Sequence, residues 1–85
     1  LKRCRYDTIA LLLEELSKDS LTKLELFRDK CNINYSYGNR YLKILLDNKL
    51  IDSDYVGMRG AKYRITEKGR KWLQIWKDFI ILKQT

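Results

Sequence analysis

Apolar residues recur with helical spacing in four stretches of this chain, but with a period of two in only one place, between Leu50 and Thr66. There Leu50-Ile51-Asp52-Ser53-Asp54-Tyr55-Val56 and Ala61-Lys62-Tyr63-Arg64-Ile65-Thr66 flank the glycine-bracketed Gly57-Met58-Arg59-Gly60. In the second run Tyr63 and Ile65 alternate with Lys62 and Arg64, the pattern of a half-buried strand, so the pair predicts a β-hairpin. No proline, repeat or low-complexity tract interrupts the 85 residues, and a chain this short holds one core, so residues 1–85 are expected to form a single domain.

The helices have local signatures. Tyr6, Ile9, Ala10, Leu13 and Leu16 form one stripe of a first helix over about Tyr6–Ser17, with Leu12 flanking it and Leu11 directed away. Thr22 and Glu25 have capping-box spacing, which starts a short second helix through about Lys30 with Leu24 and Phe27 inward and Leu26 beside them. Asn34 is an N-cap for a third helix from about Tyr35 to Asp47. At about 100° per residue this third helix collects Gly38, Tyr41, Leu42, Leu45 and Leu46 on one side. Ser36, Asn39, Arg40, Lys43 and Asp47 fall on the other. Asn48-Lys49 is expected to close it, Asn48 tolerating the left-handed conformation a helix C-terminus often needs. Thr66 caps a last helix from Glu67 to about Lys83.

The order helix, helix, helix, hairpin, helix predicts an α+β fold, mainly α, of the winged helix-turn-helix type. In such a fold the third helix enters the major groove of double-stranded DNA. Its polar face offers Ser36, Asn39, Arg40 and Lys43, with Tyr37 at the boundary; Asn suits adenine edges, Arg suits guanine, and Lys reaches guanine or phosphate. The wing, 57–62, would add Arg59 and Lys62 on minor groove or backbone, with Arg64 behind them, and Lys23 begins the second helix where amides favour a phosphate.

Eighteen Lys and Arg against eleven Asp and Glu give a formal charge of +7, which favours a polyanionic partner. Histidine is absent, and Cys4 and Cys31 lack metal-ligand spacing, so no metal, cofactor or small-molecule ligand is expected. Cys31 is expected to be half-buried at a helix end. Catalysis is disfavoured as a class: there is no nucleophile beside a base and no phosphate loop, and nothing near Asp52 and Asp54 would tune them. The opening Leu1-Lys2-Arg3-Cys4-Arg5 lacks an initiator Met and the apolar stretch of a secretion signal, and no run spans a bilayer. A cytoplasmic, nucleoid-associated location is therefore expected, with no membrane contact.

The last helix carries Trp72, Leu73, Ile75, Trp76, Phe79, Ile80 and Leu82 over an arc of about 180°. One small domain needs a stripe nearer about 100° wide. The surplus predicts a homodimer through residues 67–83, with Trp72, Leu73, Trp76, Phe79, Ile80 and the outward Leu11 at the interface.

Asn32-Ile33-Asn34-Tyr35, Arg40-Tyr41-Leu42, the run from Leu45 to Ile51 and the run from Tyr63 to Gly69 together resemble an archaeal winged-helix family. That family comprises small dimeric chromatin proteins and transcriptional regulators. Arg5-Tyr6-Asp7 and Leu21-Thr22-Lys23 extend the resemblance to about residues 5–80; its most specific parts are Tyr41-Leu42 and Ile65-Thr66-Glu67-Lys68-Gly69. It implies DNA binding through the third helix and wing and dimers through the C-terminal helix. Gly38 departs from the large apolar residue often found there, which predicts closer or weaker helix packing. The final helix is also shorter than the coiled coil of the chromatin members, which favours a transcription regulator over an architectural protein. A winged helix that binds protein, and single-stranded RNA stacked on tyrosines, are the rival readings.

Overall fold

The computed structural model describes residues 5–55 and 60–84. Helix α1 is Arg5–Lys18, strand β1 is Leu21–Thr22, and α2 is the short helix Glu25–Lys30. Helix α3 is Tyr35–Asp47, strands β2 and β3 are Ile51–Tyr55 and Ala61–Ile65, and α4 is Glu67–Gln84. The sheet is antiparallel in the order β1-β3-β2. The expected hairpin is present with one more strand: Leu21 and Thr22 pair with Tyr63 and Lys62. Two residues make too short a run to announce a strand by alternation; the unpaired edge of β3 recruits them.

The capping box forms as its spacing predicts. The Glu25 carboxylate accepts from the Thr22 amide and hydroxyl, both at 3.1 Å, and the Glu25 amide donates back to Thr22 Oγ1 at 3.3 Å. The rest of α2 departs from α-geometry. Cys31 N donates to Leu26 O at 3.0 Å, an i→i+5 bond that widens the turn. Widening rotates the faces, and this corrects the expected inward set: Leu26 and Phe27 are buried, whereas Leu24 is 49% exposed. Cys31 is buried rather than half-buried.

Asn34 Oδ1 accepts from Tyr37 N at 3.1 Å, starting α3 where expected. At the other end Lys49, not Asn48, is left-handed, with φ 59°. Asn48 keeps φ −92° and its side-chain amide donates to Ile44 O at 2.8 Å. The amides of Lys49 and Leu50 then reach Leu46 O at 3.0 Å and Leu45 O at 2.9 Å, satisfying the last carbonyls.

The core gathers Ile9, Leu12, Leu13 and Leu16 of α1, Leu26 and Phe27 of α2, Leu42 and Leu45 of α3, Ile51 and Ile65 of the sheet, and Leu73 of α4. Each such aliphatic side chain contributes roughly 1.5–3 kcal/mol relative to exposure. Tyr6, expected on the α1 core stripe, is instead 56% exposed, its ring 6.5 Å from Trp72 and 6.0 Å from Trp76. Two glycines set close approaches. A Cβ on Gly38 would lie 2.8 Å from the Phe27 ring, so α3 packs directly on α2 and the approach is close. A Cβ on Gly69 would overlap the Leu50 carbonyl. Thr66 ties the start of α4 to the end of α3: its hydroxyl donates to Lys49 O at 2.7 Å and accepts from Gly69 N at 3.1 Å.

Donation from the Thr22 amide and hydroxyl, with Lys62 nearby, holds the Glu25 carboxyl below its usual 4.5. A depressed folded-state value adds stability that is complete above 4.5 and is lost as pH falls through the lower folded value. Melting temperature is therefore expected to fall more between about pH 5 and pH 3 for the natural sequence than for Glu25→Gln. Parallel acid melts of the two proteins check this; identical curves would contradict it.

Candidate nucleic-acid interface

The capped start of α3 fixes which face the helix turns outward. Gly38, Tyr41, Leu42 and Leu45 are buried, while Ser36, Arg40, Lys43 and Asp47 are exposed and Asn39 is half-buried. One polar face thus carries Ser36, Asn39, Arg40 and Lys43 together, as the spacing predicted. No ion pair among the described residues engages Arg40 or Lys43. Tyr37 lies at the edge, its hydroxyl donating to the Tyr41 hydroxyl at 3.3 Å and its ring edge-on to that of Tyr41 at 4.9 Å. Hydrogen bonding between the two hydroxyls and removal from water hold the Tyr41 phenol above its ordinary value.

The strand cations have different surroundings. Lys62 and Arg64 pair across the ladder with Asp54 and Asp52, and paired residues share a face. Arg64 Nη1 reaches Asp54 Oδ2 at 3.3 Å. The outer face of the sheet at this level is thus charge-compensated, whereas on α3 exposed Asp47 shares the face of Arg40 and Lys43 without an ion pair to either. The third strand also sets Lys62 beside Thr22, next to the Glu25 carboxylate. Sequence spacing hid this because both acids and the third strand act across chain-distant pairs. Gly57, Met58 and Arg59 lie outside the described residues.

A groove of about 390 Å³ joins the start of α2, the first turn of α3 and the root of the wing. Thr22, Lys23, Leu24, Tyr35, Gly60, Ala61 and Tyr63 line it. Lys23 is thereby brought beside the α3 start. Leu24 and Tyr35 were not among the expected site residues; Tyr35 is 53% exposed with its ring edge-on to Phe27, 5.6 Å away at 82°. The i→i+5 turn that exposes Leu24 leaves no mark in apolar periodicity.

The expected dimer residues divide. Leu73 is buried in the core of its own chain, which corrects its assignment to a subunit interface. Trp72, Trp76 and Ile80 are half-buried, and Phe79 is 54% exposed. Leu11, with Trp76, Ile80 and Ile81, lines a mainly apolar groove of about 580 Å³ between α1 and α4, crossed by a 2.8 Å Lys77–Glu14 ion pair. No helix among the described residues is long and apolar enough to cross a membrane.

Two stacked short helices, an outward third-helix face and a β-wing define a winged helix-turn-helix, the fold of DNA-binding transcription regulators. The chain belongs to that family: the winged helix-turn-helix family model matches residues 2–84. No curated protein matches it in sequence. Among solved structures, it is similar to a protein from Archaeoglobus fulgidus, with TM-score 0.72 and 21% identity over 96% of this chain and 92% of that one. A PadR family transcription regulator from Clostridium difficile gives TM-score 0.71 and 23% identity, covering 89% and 91% of the two chains. The zinc-responsive MarR family member ZitR from Lactococcus lactis gives 0.71 and 21%, covering 87% of this chain. The present chain spans about half the length of ZitR, 51% of it.

Proposed function

We propose that this chain binds double-stranded DNA as a transcriptional regulator, with α3 in the major groove and the wing on the adjacent minor groove or backbone. The observation that carries this reading is the α3 face, where Arg40 and Lys43 stand exposed without an ion-pair partner among the described residues. Asn39 and Arg40 read base edges, Ser36 and Lys43 reach bases or phosphates, and Tyr37 lies against the backbone. Lys23 contributes to phosphate contacts. Lys62 and Arg64 are secondary, because Asp52 and Asp54 offset them. Residues 1–85 act as one binding unit without catalysis, in the compartment that holds the chromosome.

The test is a duplex titration at several salt concentrations. Log affinity is expected to fall against log salt by about 0.9 for each phosphate neutralised. Salt-independent binding, or none at low salt, would refute the reading in favour of a protein-binding winged helix. Equal affinity for every duplex would make the protein architectural instead of a regulator of particular sites.

The regulator acts as a homodimer joined through α4. Ile75, Phe79 and Leu82 are 69%, 54% and 74% exposed along that helix, beside half-buried Trp72, Trp76 and Ile80. A contiguous apolar edge of this kind suits a two-fold contact, which sets two α3 helices about 34 Å apart on successive turns of duplex. Replacing Phe79 and Ile80 together by Asp places unpaired charge in that contact. The variant is expected to sediment as a monomer and to lose DNA affinity through lost avidity. A natural chain that sediments as a monomer at tens of micromolar would refute the assembly.

A further inference from the structure

The outward face of α3 holds one residue that neither polyanion binding nor helix stability explains. With Ser36 taken as zero around the helix axis, Lys43, Asp47 and Arg40 fall at about −20°, +20° and +40°, so Asp47 stands in the middle of that face. It is exposed, and no ion pair among the described residues holds its carboxylate. Lys43, one turn before it, precedes the acid in the less favourable order for a helical ion pair. The helix itself disfavours an acid there. The last turn of a helix carries partial negative charge and favours cations, yet α3 ends on Asp47 with no basic residue in that turn. Phosphates disfavour it as well. An acid opposed by its own helix and by a polyanion calls for a ligand group that can donate to it.

The major groove offers one base edge of that kind. Guanine presents N7 and O6 and thymine presents O4, all acceptors that turn lone pairs toward a carboxylate. Adenine sets its amino group beside the acceptor N7. Cytosine presents its N4 amino group with no acceptor on its own edge. A side chain that can only accept is therefore drawn to cytosine and repelled by the other bases and by phosphate. We propose that Asp47 is a specificity-determining residue, accepting from the N4 amino group of a cytosine that lies beyond the Lys43 contact and weakening binding to duplexes that lack one there. The inference rests on the α3-in-major-groove reading above. In it, Arg40 and Lys43 draw the helix to duplex in general, and Asp47 withdraws affinity from the wrong sequences.

The test selects duplexes from a random-sequence pool with the full chain and, in parallel, with Asp47→Ala. The natural chain is expected to return a C·G pair at one position, and the variant to lose that preference while keeping the others. On the selected duplex, changing that pair to T·A should weaken the natural chain about tenfold or more and leave the variant almost unaffected. A scrambled duplex should bind the variant about fivefold more tightly, because a like charge has left the face. A purely structural role for Asp47 would produce neither effect. Alanine favours the helix and removes the acid from its C-terminal end, so the variant should melt at or above the natural protein. Identical base preferences in the two proteins, or weaker binding of the scrambled duplex by the variant, overturns the inference while leaving duplex binding intact. A natural chain with no preference at any position does the same. Failure of the natural chain to bind any duplex overturns the DNA reading itself, and this inference with it.

Discussion

Reversing the two cations of the α3 face, Arg40→Glu with Lys43→Glu, is expected to lower duplex affinity by about a thousandfold and leave folding unchanged. A base contact by such a side chain is worth about 1–3 kcal/mol, and each reversal also sets a carboxylate against phosphate, so about 4 kcal/mol for the pair is a moderate figure. Neither side chain belongs to the core and neither has an ion-pair partner among the described residues, so nothing in the domain is broken by the change. A companion reversal of Lys62 and Arg64 should cost far less DNA affinity, because those cations already face Asp54 and Asp52. Fluorescence anisotropy on one labelled duplex, with a thermal melt of each variant, checks both statements. Equal losses from the two reversals would contradict the ranking of α3 above the sheet.

The largest stability effect from a single methyl group is expected at Gly69. Its added Cβ would meet the Leu50 carbonyl and lie 2.7 Å from Ile65 Cγ1. The carbonyl cannot retreat freely, because it accepts from Thr66 N at 3.0 Å. Overpacking of this kind costs typically about 1–3 kcal/mol, and the helix propensity gained by replacing glycine returns at most about 1 kcal/mol. For a domain whose whole stability is on the order of 5–10 kcal/mol, Gly69→Ala should lose about 2 kcal/mol and melt well below the natural protein. Gly38→Ala is expected to be milder. Its obstacle is the Phe27 ring, a side chain that can shift, although the shift would also move the ring that supports Tyr35. Urea denaturation of both variants ranks them; a Gly38→Ala loss larger than that of Gly69→Ala would contradict the assignment of the tighter contact.

What the sequence determined by itself was everything enforced within a turn or two of chain. The Thr22–Glu25 box, the Asn34 cap, the limits of α3 and the Thr66 cap all join residues three positions apart, where spacing and side-chain chemistry leave few choices. The outward face of α3 followed from the same periodicity, and with it the core of the candidate site. Tertiary structure decided the rest. The third strand exists because β3 offered an open edge to Leu21 and Thr22, and the two strand cations are offset because register set Asp52 and Asp54 opposite Arg64 and Lys62. Leu24 came to the surface because an i→i+5 turn displaced the helical faces, and Leu73 went to the core because α4 crosses α1. The left-handed residue fell at Lys49 instead of Asn48 because closure of α3 is set by which amides reach the last carbonyls. Local hydrogen bonds and periodicity can be read along a chain. Pairing across it depends on where whole elements come to rest, and no residue carries that information alone.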